Sequence, residues 1–166
     1  MKWSRYVGLG LAVALAAGVA DQLTKTWAHA WVGARGPIDL LPGLNIVAWN
    51  NTGTAFGIGQ GTSLWVLIGI ALAISAWLLW LLSRAVKPAE AIGLGLVIGG
   101  ALGNVLDRIR LGSVRDFIDV YWRSLHWPAF NLADVAIVCG LSLFLFFHKD
   151  ADRPRQHATD PVRGPE

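Results

Sequence analysis

The sequence predicts an all-α polytopic membrane protein of four transmembrane helices, with a small β-cradle-like segment outside the membrane between the first and second. Composition is the first reason: of 166 residues 54% are hydrophobic and 15% charged, and the mean hydropathy is +0.49. The apolar residues form long unbroken runs, not the period-2 or period-3.6 patterns of a soluble domain. A soluble domain of this size buries only about two-thirds of its unfolded surface, so such runs would stay in water. The few ionisable residues stand at the ends of the runs, as a lipid solvent requires.

A spanning helix needs about 20 largely apolar residues. Four segments meet this: Tyr6 to Thr24, Ser63 to Ser83, Ala89 to Leu106 and Phe130 to Phe147. An even number of spans puts both termini on one side, and Lys2 and Arg5 ahead of the first span mark that side as the cytoplasm. Eight of the fourteen basic residues fall on it and six on the other. Residues 1–148 then form a single integral membrane domain with outer segments 25–62 and 107–129, and 149–166, rich in proline and charge, form a disordered cytoplasmic tail.

The first span also reads as a cleavable signal peptide, with Gly18 and Ala20 as small residues before Asp21. The three further spans, and Asp21 and Lys25 placed at i and i+4, favour a retained helix. Between spans one and two, Ile38 to Trp49 is broken by Pro42 and Gly43 and reads as short strands with a turn. Gly95, Gly99 and Gly103 leave one face of span three bare for close packing. Trp27, Trp31, Trp65, Trp77, Trp80, Trp122 and Trp127 stand where interface anchors belong. Cys139, the one cysteine, excludes an intrachain disulfide and reads as a small core hydrophobe.

Chemistry is sought among the acids, because each ionisable group at membrane depth is costly. Five of the eleven, Asp21, Asp107, Asp116, Asp119 and Asp134, come to one face in this topology. Asp134 opens the unbroken run Val135 to Phe147, and its plain role is a helix N-terminal carboxylate with Asn131 as cap. Asp116 lies in the apolar stretch Val114 to Val120, and a return through Trp127 and Pro128 brings the chain back towards Asp134. Two carboxyls in a poorly hydrated site share one proton, the aspartic-protease arrangement. The ionised member takes a proton from water while the other polarises a peptide carbonyl.

Other chemistries fit less well. His29, His126, His148 and His157 make no i, i+4 pair or HExxH motif, which disfavours zinc. Ser113 has no base nearby in sequence, there is no phosphate loop, and the basic residues do not form a nucleic-acid stripe. No metal or cofactor is expected. A small proton- or ion-coupled transporter using the same carboxylates is the alternative, although it would place them near the bilayer midplane. An inactive scaffold built on the glycine-lined span leaves the polar cluster unexplained.

Five stretches in order resemble the lipoprotein signal peptidase (signal peptidase II) family: Asp21-Gln22-Leu23-Thr24-Lys25; Asn50-Asn51-Thr52-Gly53-Thr54-Ala55-Phe56; Gly99 through Arg108; Val114-Arg115-Asp116-Phe117-Ile118-Asp119; and Pro128 through Asp134. The resemblance implies an aspartic endopeptidase, inhibited by the cyclic peptide globomycin. It would cut diacylglyceryl-modified prolipoproteins just before the lipidated cysteine. It implies Asp116 and Asp134 as the catalytic dyad, the pair already reached from the residues. Around them it implies Asn51, Gly53, Asn104, Asp107, Arg108 and Asn131, with Asp21 and Lys25 supporting from span one. Membrane lipids are the surrounding partner, and a monomer is expected. Thr54, where many members have alanine, and Arg115, where the usual residue is apolar, depart from the pattern. Arg115 would lower the dyad's pKa values if it faced the site, and otherwise snorkel to the interface. Arg108 would pair with Asp107 or with a backbone carbonyl, and Arg110 and Arg123 with lipid phosphates.

Overall fold

The computed structural model describes residues 3–53 and 63–149. Thr54, Ala55 and Phe56 of the second stretch, and the expected tail apart from Lys149, lie outside the described residues.

The element order is α1 (Val7–Arg35), β1 (Ile38–Leu41), β2 (Leu44–Asn51), α2 (Leu64–Leu82), α3 (Pro88–Leu111), β3 (Val114–Trp122), β4 (Leu125–His126) and α4 (Leu132–Lys149). Helices α1, α2 and α3 are long and apolar enough to cross a membrane, and the apolar part of α4, Leu132–His148, is shorter. Large apolar side chains cover the helix exteriors: Leu15, Leu23, Trp65, Trp77, Val138 and Phe146 are exposed. Such a surface suits lipid.

Helix α3 is the hub, packed by each of the other three helices. Its Ala91, Leu94, Val97 and Ile98 form the buried core with Leu78, Leu82 and Ala85. Close approach rests on missing side chains, since with no hydrophobic effect between helices in lipid, packing must come from contact. A Cβ on Gly99 would run into the carbonyl of Ala14 on α1. One on Gly100 would come 2.5 Å from the carbonyl of Ala133 on α4. Gly95, Gly99 and Gly103 meet α1 along the one face expected of them, and Gly93 and Gly100 open a second face to α4.

Two helices run past their expected ends. Helix α1 continues beyond Thr24 through the alanine-rich 25–35 and stops at Gly36, whose φ is 82°. Helix α3 begins with Pro88 at its first turn and Glu90 accepting from Val86 N and Lys87 N, and ends at Gly112 in the left-handed conformation. Ionisable residues of α1 and α3 therefore stand on regular helix, which fixes their directions.

The all-α expectation with strands between α1 and α2 alone needs correction. The sheet has four antiparallel strands in the order β1-β2-β3-β4, half of it from the α3–α4 segment. Leu44 to Asn51 pairs with Val120 to Val114, setting Trp49 opposite Asp116 and Asn51 opposite Val114. Charges at Arg115 and Asp119 hide the strand pattern of β3, and its partner lies far away in the chain. After β4, Phe130 bonds back to Ile118 in both directions, so α4 starts beside β3. Cys139, expected in the core, is exposed on α4.

Candidate active site

Asp116 and Asp134 line the same cavity, of about 1070 Å³, although one stands on a strand and the other in the first turn of a helix. Apolar groups dominate its wall, among them Val47, Trp127, Phe130 and Val138, and Asn51, Asn104 and Arg108 supply polar points. A few convergent polar groups in an apolar cleft is the usual make-up of a binding site.

Asp116 is 1% exposed. Its Oδ2 accepts from Asn51 Nδ2 at 3.0 Å and its Oδ1 from Asn131 Nδ2 at 2.6 Å. Burial raises its pKa from 3.8 to about 6; the two amide donations lower it, and the nearby Asp134 adds to the rise. Asp134 Oδ1 accepts from Asn104 Nδ2 at 2.9 Å and its Oδ2 from Asn131 N at 3.2 Å. Asn131, wholly buried, therefore bridges the two carboxyls, with its side chain on one and its backbone on the other.

Behind the pair lies a buried ion cluster. Lys25 Nζ, wholly buried, donates to Asp21 Oδ2 at 2.8 Å and to Asn104 Oδ1 at 2.8 Å, and lies 3.4 Å from Asp107 Oδ2. All three ammonium donors have partners, as a buried cation needs. Asp21 Oδ1 also accepts from Ala133 N at 2.9 Å, tying α1 to the start of α4. Lysine on its carbonyl side orients the Asn104 amide, so that the NH2 faces Asp134.

All the predicted site residues are present in this region. Gly53 accepts from Arg108 Nη2 at 3.0 Å through its carbonyl, and its N–H donates to Asn51 Oδ1. Arg108 does not bond Asp107; it takes the carbonyl alternative, on Gly53 and Asn104, and its Nε is buried without a partner among the described residues. Arg115 neither enters the cavity nor snorkels. It turns to Asp107, Gln22 and Thr26, because neighbouring positions on a strand face opposite ways and Asp116 takes the cavity side.

Sequence reasoning missed Gln22, Thr26 and His29. Gln22 donates to Asp107 Oδ1 at 3.0 Å, and His29 Nε2 lies 3.3 Å from the Asp116 carbonyl. With Lys25 they recur at three- and four-residue spacing, a polar stripe on an apolar helix that was a readable signal. Asp119 is held by His126 Nδ1 at 2.9 Å and Asn45 Nδ2 at 3.3 Å and stands further along the same cavity.

Comparison with known proteins gives this arrangement a context. The family described as signal peptidase (SPase) II matches residues 13–148. A lipoprotein signal peptidase of Polynucleobacter necessarius subsp. necessarius is 40% identical over 140 residues, 82% of this chain and 86% of that one. One from Serratia marcescens is 41% identical over 147 residues, 87% of this chain and 85% of that one. A solved structure described as a bacterial membrane enzyme, determined by the in meso method at 2.3 Å resolution, superposes with a TM-score of 0.75 at 26% identity, covering 98% of this chain and 99% of the other. On the family match and on identity sustained along most of both chains, this membrane protein belongs to the signal peptidase II family.

Proposed function

We propose that Asp116 and Asp134 are the catalytic pair of a lipoprotein signal peptidase that cuts diacylglyceryl-modified prolipoproteins just before the lipidated cysteine. One observation carries the reading: two carboxyls from separate elements face one largely apolar cavity and are bridged by a single buried asparagine. Family membership leaves the ion-coupled transporter alternative unsupported.

The pair works with one proton. The ionised carboxylate removes a proton from water as the oxygen adds to the scissile carbonyl, and the protonated carboxyl gives its proton to the carbonyl oxygen. Collapse of the tetrahedral intermediate returns a proton to the leaving nitrogen and breaks the C–N bond. A free carboxylate is left on the signal peptide and a free amine on the lipidated cysteine. Asn51, Asn104 and Asn131 aim the carboxyl oxygens, and Arg108 lines the cavity beside them. Asp21, Lys25, Asp107 and Gly53 hold this frame.

The same reading takes α4 as a fourth span, the termini as cytoplasmic and the sheet as a cradle at the outer face of the bacterial inner membrane. It is supported by the eight-to-six basic excess of the termini and the α2–α3 loop over the other side, and by the exposed Trp49, Trp122 and Trp127 around the sheet. There a lipidated precursor arrives by lateral diffusion and water is still at hand. A monomer surrounded by lipid belongs to the same reading.

The test is cleavage of a diacylglyceryl-modified precursor peptide by purified enzyme in vesicles. Asp116→Asn and Asp134→Asn should each abolish cleavage while the folded protein is retained. Undiminished cleavage by either variant would end the two-aspartate mechanism.

A further inference from the structure

The side chain of Arg115 is committed on every nitrogen to groups outside the cavity. Its Nη2 donates to Asp107 Oδ1 at 2.9 Å and to Gln22 Oε1 at 3.1 Å, its Nε to Asp107 Oδ2 at 3.3 Å and its Nη1 to Thr26 Oγ1 at 3.2 Å. The side chain is 14% exposed and Asp107 is 1% exposed, so the pair is shielded from water and salt. This fork on a carboxylate is the geometry for which arginine differs from lysine.

The consequence reaches the proposed catalytic pair by two routes. Along the strand, Arg115 is the immediate neighbour of Asp116, so fixing one to α1 and α3 fixes the other. Through space, Arg115 and Lys25 together neutralise Asp21 and Asp107, and Lys25 then keeps a donor for Asn104, which aims at Asp134. Without the arginine, Lys25 would be the one cation in contact with Asp107 among the described residues, and Asp107 would draw it from Asn104.

We infer that Arg115 is a positioning residue for the peptidase reaction, a guanidinium clamp between β3 and the α1–α3 ion cluster that sets the place of Asp116 and the direction of Asn104. The inference rests on the two-aspartate reading. Arg115 touches no substrate; it acts through Asp107 and through its own strand.

Charged and titratable groups from every packed element face this region. They are Asp21, Lys25 and His29 on α1, Asp107 and Arg108 on α3, Asp134 on α4, and Asp116 with the His126-held Asp119 on β3. Replacing the cation by an apolar group leaves net negative charge in this set, which makes the pair's shared proton harder to lose.

The experiment compares wild type, Arg115→Val and Arg115→Lys in vesicles with the lipidated precursor peptide, following kcat, KM and pH dependence. Valine suits a strand and keeps the backbone donation from residue 115 to Asp107 Oδ2 at 3.1 Å. In Arg115→Val we expect kcat to fall about tenfold with KM little changed, and the alkaline limb of the kcat profile to move up by roughly half a pH unit. Arg115→Lys should restore the limb, because the charge returns, and only part of kcat, because the fork does not. If Arg115→Val does not survive purification, Arg115→Lys and Arg115→Gln make the same comparison of charge against geometry. Unchanged kcat and pH profile in the variants would overturn the inference, as would a loss confined to KM. Asp116→Asn and Asp134→Asn are run beside them: cleavage by these would sink the dyad reading, whereas their inactivity beside an indifferent Arg115→Val would sink the clamp alone.

Discussion

Asn131 and Asp134 cap each other. Asn131 Oδ1 accepts from Asp134 N at 3.1 Å, and Asp134 Oδ2 accepts from Asn131 N at 3.2 Å, a reciprocal box at the start of α4. The box leaves the Asn131 amide nitrogen free to reach Asp116, so one residue ends a loop, starts a helix and joins the two carboxyls. Helix capping and the joining of the two carboxyls share the bond from Asn131 N to Asp134 Oδ2.

The two roles separate by substitution. Asn131→Ala removes the cap and the donor, and should cost about 1–2 kcal/mol of stability together with about a hundredfold of kcat. Asn131→Asp keeps an oxygen for Asp134 N but sets a carboxylate against Asp116. Two buried carboxylates in contact repel, so stability should stay low at neutral pH and recover on acidification, while cleavage does not return. Thermal unfolding in detergent, with kinetics on the lipidated peptide, reads both; recovery of activity in Asn131→Asp would show that the amide donor is dispensable.

Asp116 carries a pH signature. Its folded pKa, about 6, lies above the ordinary 3.8, so the folded state holds the proton more tightly than the unfolded one. Stability from this group is complete below about pH 4, declines as pH rises through 6 and is flat above. Asp116→Asn removes the ionisation, so the decline in stability between about pH 4 and 7 should disappear while activity is lost. Asn51→Ala deletes a bond that favours the ionised form, so the alkaline limb of activity should move upward. Unfolding temperatures from pH 4 to 8, and a pH–rate profile of Asn51→Ala, check the two signs; a downward move of the limb would contradict the geometry at Asp116 Oδ2.

How far these features were legible depends on what lipid makes conspicuous. Asp21, Lys25, Asp107, Asp116 and Asp134 stood out because each charge interrupts apolar sequence, and they do meet in space. The helix positions followed from run length, although α1 outran its apolar stretch because alanine sustains a helix where hydropathy falls. The β2–β3 pairing was not legible, since register between distant segments leaves no local mark. The direction of Arg115 needed that strand assignment first. Gln22 and His29 were passed over because the expected span ended at Thr24, before the stripe they belong to was complete. Cys139 looked like core because exposure to lipid and burial in protein select the same apolar neighbours.

The glycines of α3 offer a separate test of how packing holds the site. Gly99 and Gly103 share one face, towards Ala14 and Asp21 on α1; Gly100 and Asn104 share another, towards Ala133 and Asp134 on α4. A methyl group at Gly99 meets backbone, which cannot swing aside, so α1 must move away and take Lys25 from Asn104. A methyl group at Gly100 pushes α4 outward one turn below Asn104 and stretches its 2.9 Å bond to Asp134. Gly99→Ala and Gly100→Ala should each lose about 1–3 kcal/mol and at least tenfold in kcat. Gly69 on α2, where a Cβ meets nothing within 4 Å, should accept alanine without loss in either measure. Thermal unfolding and cleavage assays of the three variants decide the matter. Full activity in Gly100→Ala would mean that the α3–α4 spacing does not set the Asn104–Asp134 contact, because the two lie on the same helix face one turn apart.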